Sequence, residues 1–123
     1  MDHNQLLDLA IDLGCRLQLT GAETYRVEES VTRLLAAYGV QGEAYSIPNC
    51  LIVSLQTDDG ANLTRMRRVD RHGTDLDLLE QYSGVSRRIC AERPSLAQAA
   101  ALLDAARARS RQYALWQYLL GCA

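Results

Sequence analysis

Residues 20–28 bring together Thr20, Glu23, Thr24, Arg26 and Glu28, the densest run of hydroxyl and ionisable side chains that could do chemistry in this chain. Thr20 and Glu23 have the spacing of a capping box, in which a hydroxyl and a carboxylate satisfy the first free backbone amides of a helix. The same spacing places Glu23 where the helix dipole favours negative charge. Thr24 and Arg26 then set a hydroxyl and a guanidinium within one turn of that carboxylate, so a polar cluster faces whatever packs over this end. The plain alternative is a well-capped surface helix. Carboxylates beside a threonine leave a small hydrolase conceivable, but no His stands close in sequence to a nucleophile. There is also no Gly-x-Ser-x-Gly elbow and no phosphate loop. No catalytic residue is assigned, and the chain is expected not to be an enzyme.

The remaining reactive residue types are scattered. Cys15, Cys50, Cys90 and Cys122 are spread almost evenly, without a Cys-x-x-Cys pair, and His3 and His72 are isolated. Metal sites and redox dithiols need closer ligands, so the thiols read as small buried hydrophobes or adventitious thiols of a reducing compartment. Neither a metal nor a cofactor is expected. All 13 basic residues are Arg, and the net charge is −2. That balance argues against a general nucleic-acid binder, which needs a positive excess to neutralise phosphates. The missing Lys reads more plausibly as codon bias, although Arg also pairs with carboxylates in a fork that Lys cannot offer.

The elements that must position the cluster can be read in order. A chain of 123 residues is one domain by size, and 48% hydrophobic content excludes a wholly disordered one. Over residues 4–19, Leu6, Leu9, Ala10, Leu13, Gly14 and Leu17 recur at steps that make one buried helical face, with Asp12 able to pair with Arg16. A second helix runs from the capping box to about Tyr38, with Val27, Val31, Leu34, Leu35 and Tyr38 inside, a Glu29–Arg33 pair outside and Gly39 as its stop. Their short connection makes the two helices antiparallel neighbours.

After Gly42 the period changes to that of strands. Residues 43–47, 50–56 and 62–69 are separated by turn signals at Pro48 with Asn49 and at Asp58, Asp59 and Gly60, which predicts an antiparallel meander with an apolar middle strand. Arg65 and Arg67 should face away from Thr64, Met66 and Arg68. Thr74 or Asp75 caps a third helix with Leu78, Leu79, Tyr82, Val85 and Ile89 inside, weakened at Gly84 by about 1 kcal/mol relative to Ala. Pro94 and Ser95 open a fourth, in which Gln98 completes a second capping box and Leu96, Ala99, Ala100 and Leu103 face inward. The order helix, helix, three strands, helix, helix predicts an α+β domain, a small antiparallel sheet with helices on one face.

Residues 1–110 form that domain, and residues 111–123 are set apart. Arg107, Arg109 and Arg111 precede an uncharged run, 113–123, that holds Tyr113, Trp116 and Tyr118. Eleven residues are too few to cross a bilayer, which needs about 20. A basic flank followed by aromatics reads as a juxtamembrane segment or the truncated start of a first transmembrane helix, the alternative being a last amphipathic helix over the core. The start of the chain lacks a basic and apolar leader, so this part is expected in the cytoplasm.

The stretch from Gly21 through Ala22, Glu23, Thr24, Tyr25, Arg26 and Val27 to Glu28 resembles the signature of the threonine/serine exporter family. So do Leu9 to Gly14, Ile47 to Leu55, Arg67 to Val69, Gly73 to Leu76 and Ser86 to Arg88, in the family's order, so that the likeness covers roughly residues 6–110. Asn49 and Cys50 depart from the pattern, and no spanning segment is present. The resemblance implies the N-terminal cytoplasmic domain of an inner-membrane exporter of threonine or serine, with a regulatory, assembly or gating role. Its partner would be a membrane-embedded domain of the same protein or a separate subunit, and a homo-oligomer is compatible with it.

The resemblance also assigns Glu23, Thr24, Arg26 and Glu28 as the functional cluster, with Arg67, Arg68, Arg87 and Arg88 as electrostatic partners. A zwitterionic amino acid needs an acceptor for its ammonium and donors for its carboxylate, and a helix start flanked by Glu and Arg offers both. The competing reading is that Glu23 and Arg26 pair with the third helix or the sheet and lock the domain. A soluble interaction or oligomerisation module, pairing through the sheet edge, is the alternative to a transport role.

Overall fold

A computed structural model describes residues 2–70 and 74–121 of the chain, beyond Ser110 as backbone only; the expectations placed on His72, Gly73 and Cys122 lie outside it. Helices α1 (His3–Leu19) and α2 (Thr24–Ala37) lead into strands β1 (Gly42–Ile47), β2 (Cys50–Gln56) and β3 (Asn62–Arg68), followed by α3 (Leu76–Glu92) and α4 (Leu96–Gly121). The sheet is an antiparallel meander in the order β1-β2-β3. The α+β class and the element order are those expected.

Strand register explains the two faces of the sheet. Leu51, Val53 and Leu55 of β2 are fully buried against the helices. On β3 their partners are Arg67, Arg65 and Leu63, so the two arginines hang over the helical side as alternation requires. Arg65 meets Asp8 of α1 in an ion pair. On the outer face Tyr45, Ile52 and Met66 form one cross-strand row, with Tyr45 and Met66 exposed.

The helices form two layers. α1 and α2 pack on the sheet, while α3 and α4 pack on α1 and on each other, and α3 also packs on α2. α1 therefore lies between the sheet and the second helical layer, and Leu7 and Ile11 are as buried as Leu6, Leu9 and Leu13. This corrects the expectation of a single buried face on α1. The inner stripes expected of α2, α3 and α4 are those observed, with Leu78, Leu96 and Ala100 at the margin of the core.

Chain reversals follow local chemistry. Asp2 caps α1 by accepting from the amides of Asn4 and Gln5, and Asp75 caps α3 by accepting from that of Leu78 at 3.1 Å. Ser95 and Gln98 form the expected reciprocal box, each side chain accepting from the other's amide at 3.2 Å. Among the described residues no helix is long and apolar enough to cross a membrane.

Candidate functional site

The corner between α1 and α2 is built differently from a capping box. Thr20 is the C-cap of α1, and its hydroxyl donates to the carbonyls of Arg16 at 2.9 Å and Leu17 at 3.0 Å. Gly21 follows with φ +98°, the left-handed conformation that glycine adopts without cost. A Cβ there would also lie 2.9 Å from the Thr74 side chain. Ala22 is buried, and its amide returns to the Leu17 carbonyl at 3.0 Å. Only then does α2 begin, with Glu23 as an N-cap whose side chain makes no capping hydrogen bond. The spacing of Thr20 and Glu23 fits a box, but the glycine turn separates the two residues into different helices.

The predicted cluster is consequently divided. Glu23 and Thr24 are exposed at the tip of α2. Arg26 turns to α3, where its Nη2 donates to the Ser83 hydroxyl at 3.0 Å and reaches Glu80 Oε1 at 3.5 Å. Glu28 turns the other way, its carboxylate accepting from the Ser46 amide of β1 at 3.0 Å. Two residues along a helix is a rotation of about 200°, so these side chains must leave opposite faces. Arg26 and Glu28 thus brace α2 between α3 and the sheet.

The arginines expected as partners also separate. Arg88 pairs with Glu92 on its own helix at 2.7 Å, and Arg68 pairs with Asp70 at 3.4 Å. Arg87 faces a trough between α2 and α3 that it shares with Arg26. Arg67 and Arg68 instead line a cavity of about 650 Å³ with Asp12, Arg16, Asp75 and Arg107. No member of the α2 cluster lines that cavity, although Thr20 does.

Arg16 is the residue that sequence reasoning placed only as half of a helical pair. Its Nε donates to Asp12 at 3.0 Å, as expected, but Nη1 also donates to the Tyr82 hydroxyl at 3.3 Å and the Leu103 carbonyl at 3.2 Å. Nη2 donates to Asp104 at 2.5 Å. The guanidinium carbon lies 5.4 Å from the Tyr82 ring centroid, within cation–π range. Burial opposes the charge, yet the bonds to Asp104 and Tyr82 and the field of Asp12 outweigh it, so the group is held above the usual arginine range. One side chain thereby joins α1, α3 and α4. Nothing in the sequence marked this role, since Asp12 and Thr20, one turn to either side, are polar and the other partners lie far along the chain.

Nearby, Cys15 is a free, buried thiol. Burial pushes its pKa up, partly offset by the charge and hydrogen bond of Arg67. Among the described residues no group of three His, Cys, Asp or Glu side chains is placed to hold a metal ion.

A family model described as "Putative threonine/serine exporter" matches residues 8–123. No curated protein and no solved structure gives a significant match.

Proposed function

This chain belongs to the threonine/serine exporter family, and we propose that it is the cytoplasmic N-terminal domain of an inner-membrane exporter of threonine, serine or similar small amino acids. Its role in that reading is regulatory, as an assembly or gating element, and it catalyses no reaction. The membrane-embedded part is supplied by the same protein or by a partner subunit.

One observation carries the reading. α4 is continuous from Leu96 to Gly121, a rod of about 39 Å at 1.5 Å per residue. It is seated in the core by Ala99, Leu103 and Ala106, and the sequence along it passes through Arg107, Arg109 and Arg111 into the uncharged run. A basic flank followed by Tyr and Trp is the pattern of a cytoplasmic membrane boundary. An unbroken helix would transmit a displacement of the core to whatever follows.

Within this proposal Glu23 and Thr24, exposed at the start of α2, are the contact point for the rest of the exporter or its cargo. Arg26 and Glu28 hold that point in place through α3 and β1. The Arg67 and Arg68 cavity is a separate polar site.

Threonine efflux from preloaded cells carrying the complete exporter tests both parts. Three glycines inserted after Ser110 should cut efflux severalfold while the protein stays in the membrane fraction, because they break the rod without touching the core. Efflux at the unmodified rate would remove the gating role. In the same assay Glu23→Gln should reduce efflux with no change in the domain's melting temperature; an equal loss of stability would assign Glu23 to folding.

A further inference from the structure

A trough of about 480 Å³ runs between α2 and α3. Arg26, Ser30 and Arg33 line it from α2, and Ser83, Ser86 and Arg87 from α3. Small side chains stand where a helix pair ordinarily interdigitates large apolar ones, and that substitution opens the space. Three guanidiniums face Glu29, the one carboxylate among the lining residues.

The donors are only lightly engaged. Arg33 pairs with Glu29 at 2.5 Å, and Arg26 reaches Glu80 at 3.5 Å, with all four side chains partly or largely exposed. Pairs of that kind contribute little and exchange readily for a stronger anion. Arg87 has no ion-pair partner among the described residues. Its Nη2 lies 3.8 Å from where a Cβ on Gly84 would stand, so the guanidinium folds back along α3 toward Gly84.

The floor is polar and buried. Ser83 and Ser86 are each only 6% exposed. The Ser83 hydroxyl accepts from Arg26, and Ser86 adds a second hydroxyl to the lining.

We propose that this trough binds a phosphate group, with Arg26, Arg33 and Arg87 as forked donors and Ser86 as the buried hydroxyl beneath. Planar guanidiniums match the tetrahedral oxygens of phosphate in paired hydrogen bonds, and a hydroxyl supplies a further donor. The volume exceeds that of phosphate and falls in the range of ligand pockets, roughly 300–1,000 Å³, which leaves room for a larger body on the phosphate. A soluble phosphate ester and a phospholipid headgroup share this chemistry.

The test is binding to the full chain of inorganic phosphate by calorimetry, and of phosphatidylglycerol against phosphatidylcholine vesicles by co-sedimentation. Arg87→Gln should weaken whichever interaction occurs about tenfold or more, the effect of losing a charged hydrogen bond. Arg65→Gln removes the same charge from β3, outside the residues that line the trough, and should leave binding within a factor of about two. Phosphate binding assigns the site to a soluble ligand, and binding to phosphatidylglycerol vesicles alone assigns it to a headgroup. No binding of either kind, or equal loss in Arg87→Gln and Arg65→Gln, overturns the proposal. Should Arg87→Gln fail to fold, Arg33→Gln carries the same comparison.

Discussion

Arg16 shows how one charged side chain becomes structural. It donates to two carboxylates, a phenol and a backbone carbonyl on three helices, although its side chain is only 17% exposed. Breaking a fully buried ion pair costs about 3–5 kcal/mol. Asp104 is 72% exposed and rehydrates when freed, so Arg16→Met should cost less, about 2 kcal/mol in urea unfolding. A change below about 0.5 kcal/mol would place the residue with ordinary surface arginines. Tyr38 gives a second, pH-dependent case. Its hydroxyl donates to the Pro94 carbonyl at 2.5 Å, and burial, with the neighbouring Cys90, raises its pKa above the usual tyrosine value. The bond's contribution is whole below about pH 10 and is lost as pH rises through the higher folded-state value. Tyr38→Phe should therefore lower stability at pH 8 and remove part of the alkaline decline seen with the parent chain.

At the scale of elements, Gly14 in α1 and Gly84 in α3 look alike in sequence and should respond oppositely to the same change. A Cβ on Gly14 would fall 2.4 Å from Leu51 Cδ2 and 2.9 Å from Val31 Cγ2, where α1 crosses β2 and α2. One on Gly84 would meet nothing closer than Arg87 Nη2 at 3.8 Å. Gly14→Ala should destabilise by about 1–3 kcal/mol through overpacking, and Gly84→Ala should stabilise by about 0.5–1 kcal/mol through helix propensity. Thermal melts of the two variants moving in the same direction would contradict the packing described. The same contrast explains what was legible beforehand. Strand alternation, the turns at Asn49 and Gly60 and the Ser95–Gln98 box depend on neighbours in sequence, and each was readable. The Thr20–Glu23 box failed because Gly21, at φ +98°, turns the chain between two helices, a corner at which the Thr20 carbonyl accepts from the amide of the distant Asp75 at 3.1 Å. The separation of Arg26 from Glu28 was implicit in helical geometry, but which surfaces received them was not.

For the molecule as a whole, the legible part was one sheet with helices on one side, and the hidden part was that those helices stack in two layers. Leu7 and Ile11 were in the sequence, yet a helix with apolar residues beyond one stripe announces burial without saying what lies on each side. Arg16 was unreadable for the same reason, since its partners Tyr82 and Asp104 stand on helices that only the second layer brings near. On this arrangement we propose a domain boundary near residue 110. Along α4 the buried positions Ala99, Leu103, Ala106 and Ser110 form one stripe, and the Ser110 hydroxyl donates to Asp77 at the start of α3 at 3.3 Å. If the segment from residue 111 onward serves the membrane-facing side of the exporter, a chain ending at Ser110 keeps every core residue found among those described. It should melt within about 4 °C of the longer chain, since 1 kcal/mol moves the midpoint of a domain this size by roughly 4–8 °C. A fall beyond about 10 °C, more than 1 kcal/mol on that scale, would make the tail part of the domain's own packing and would remove the lever on which the gating role depends.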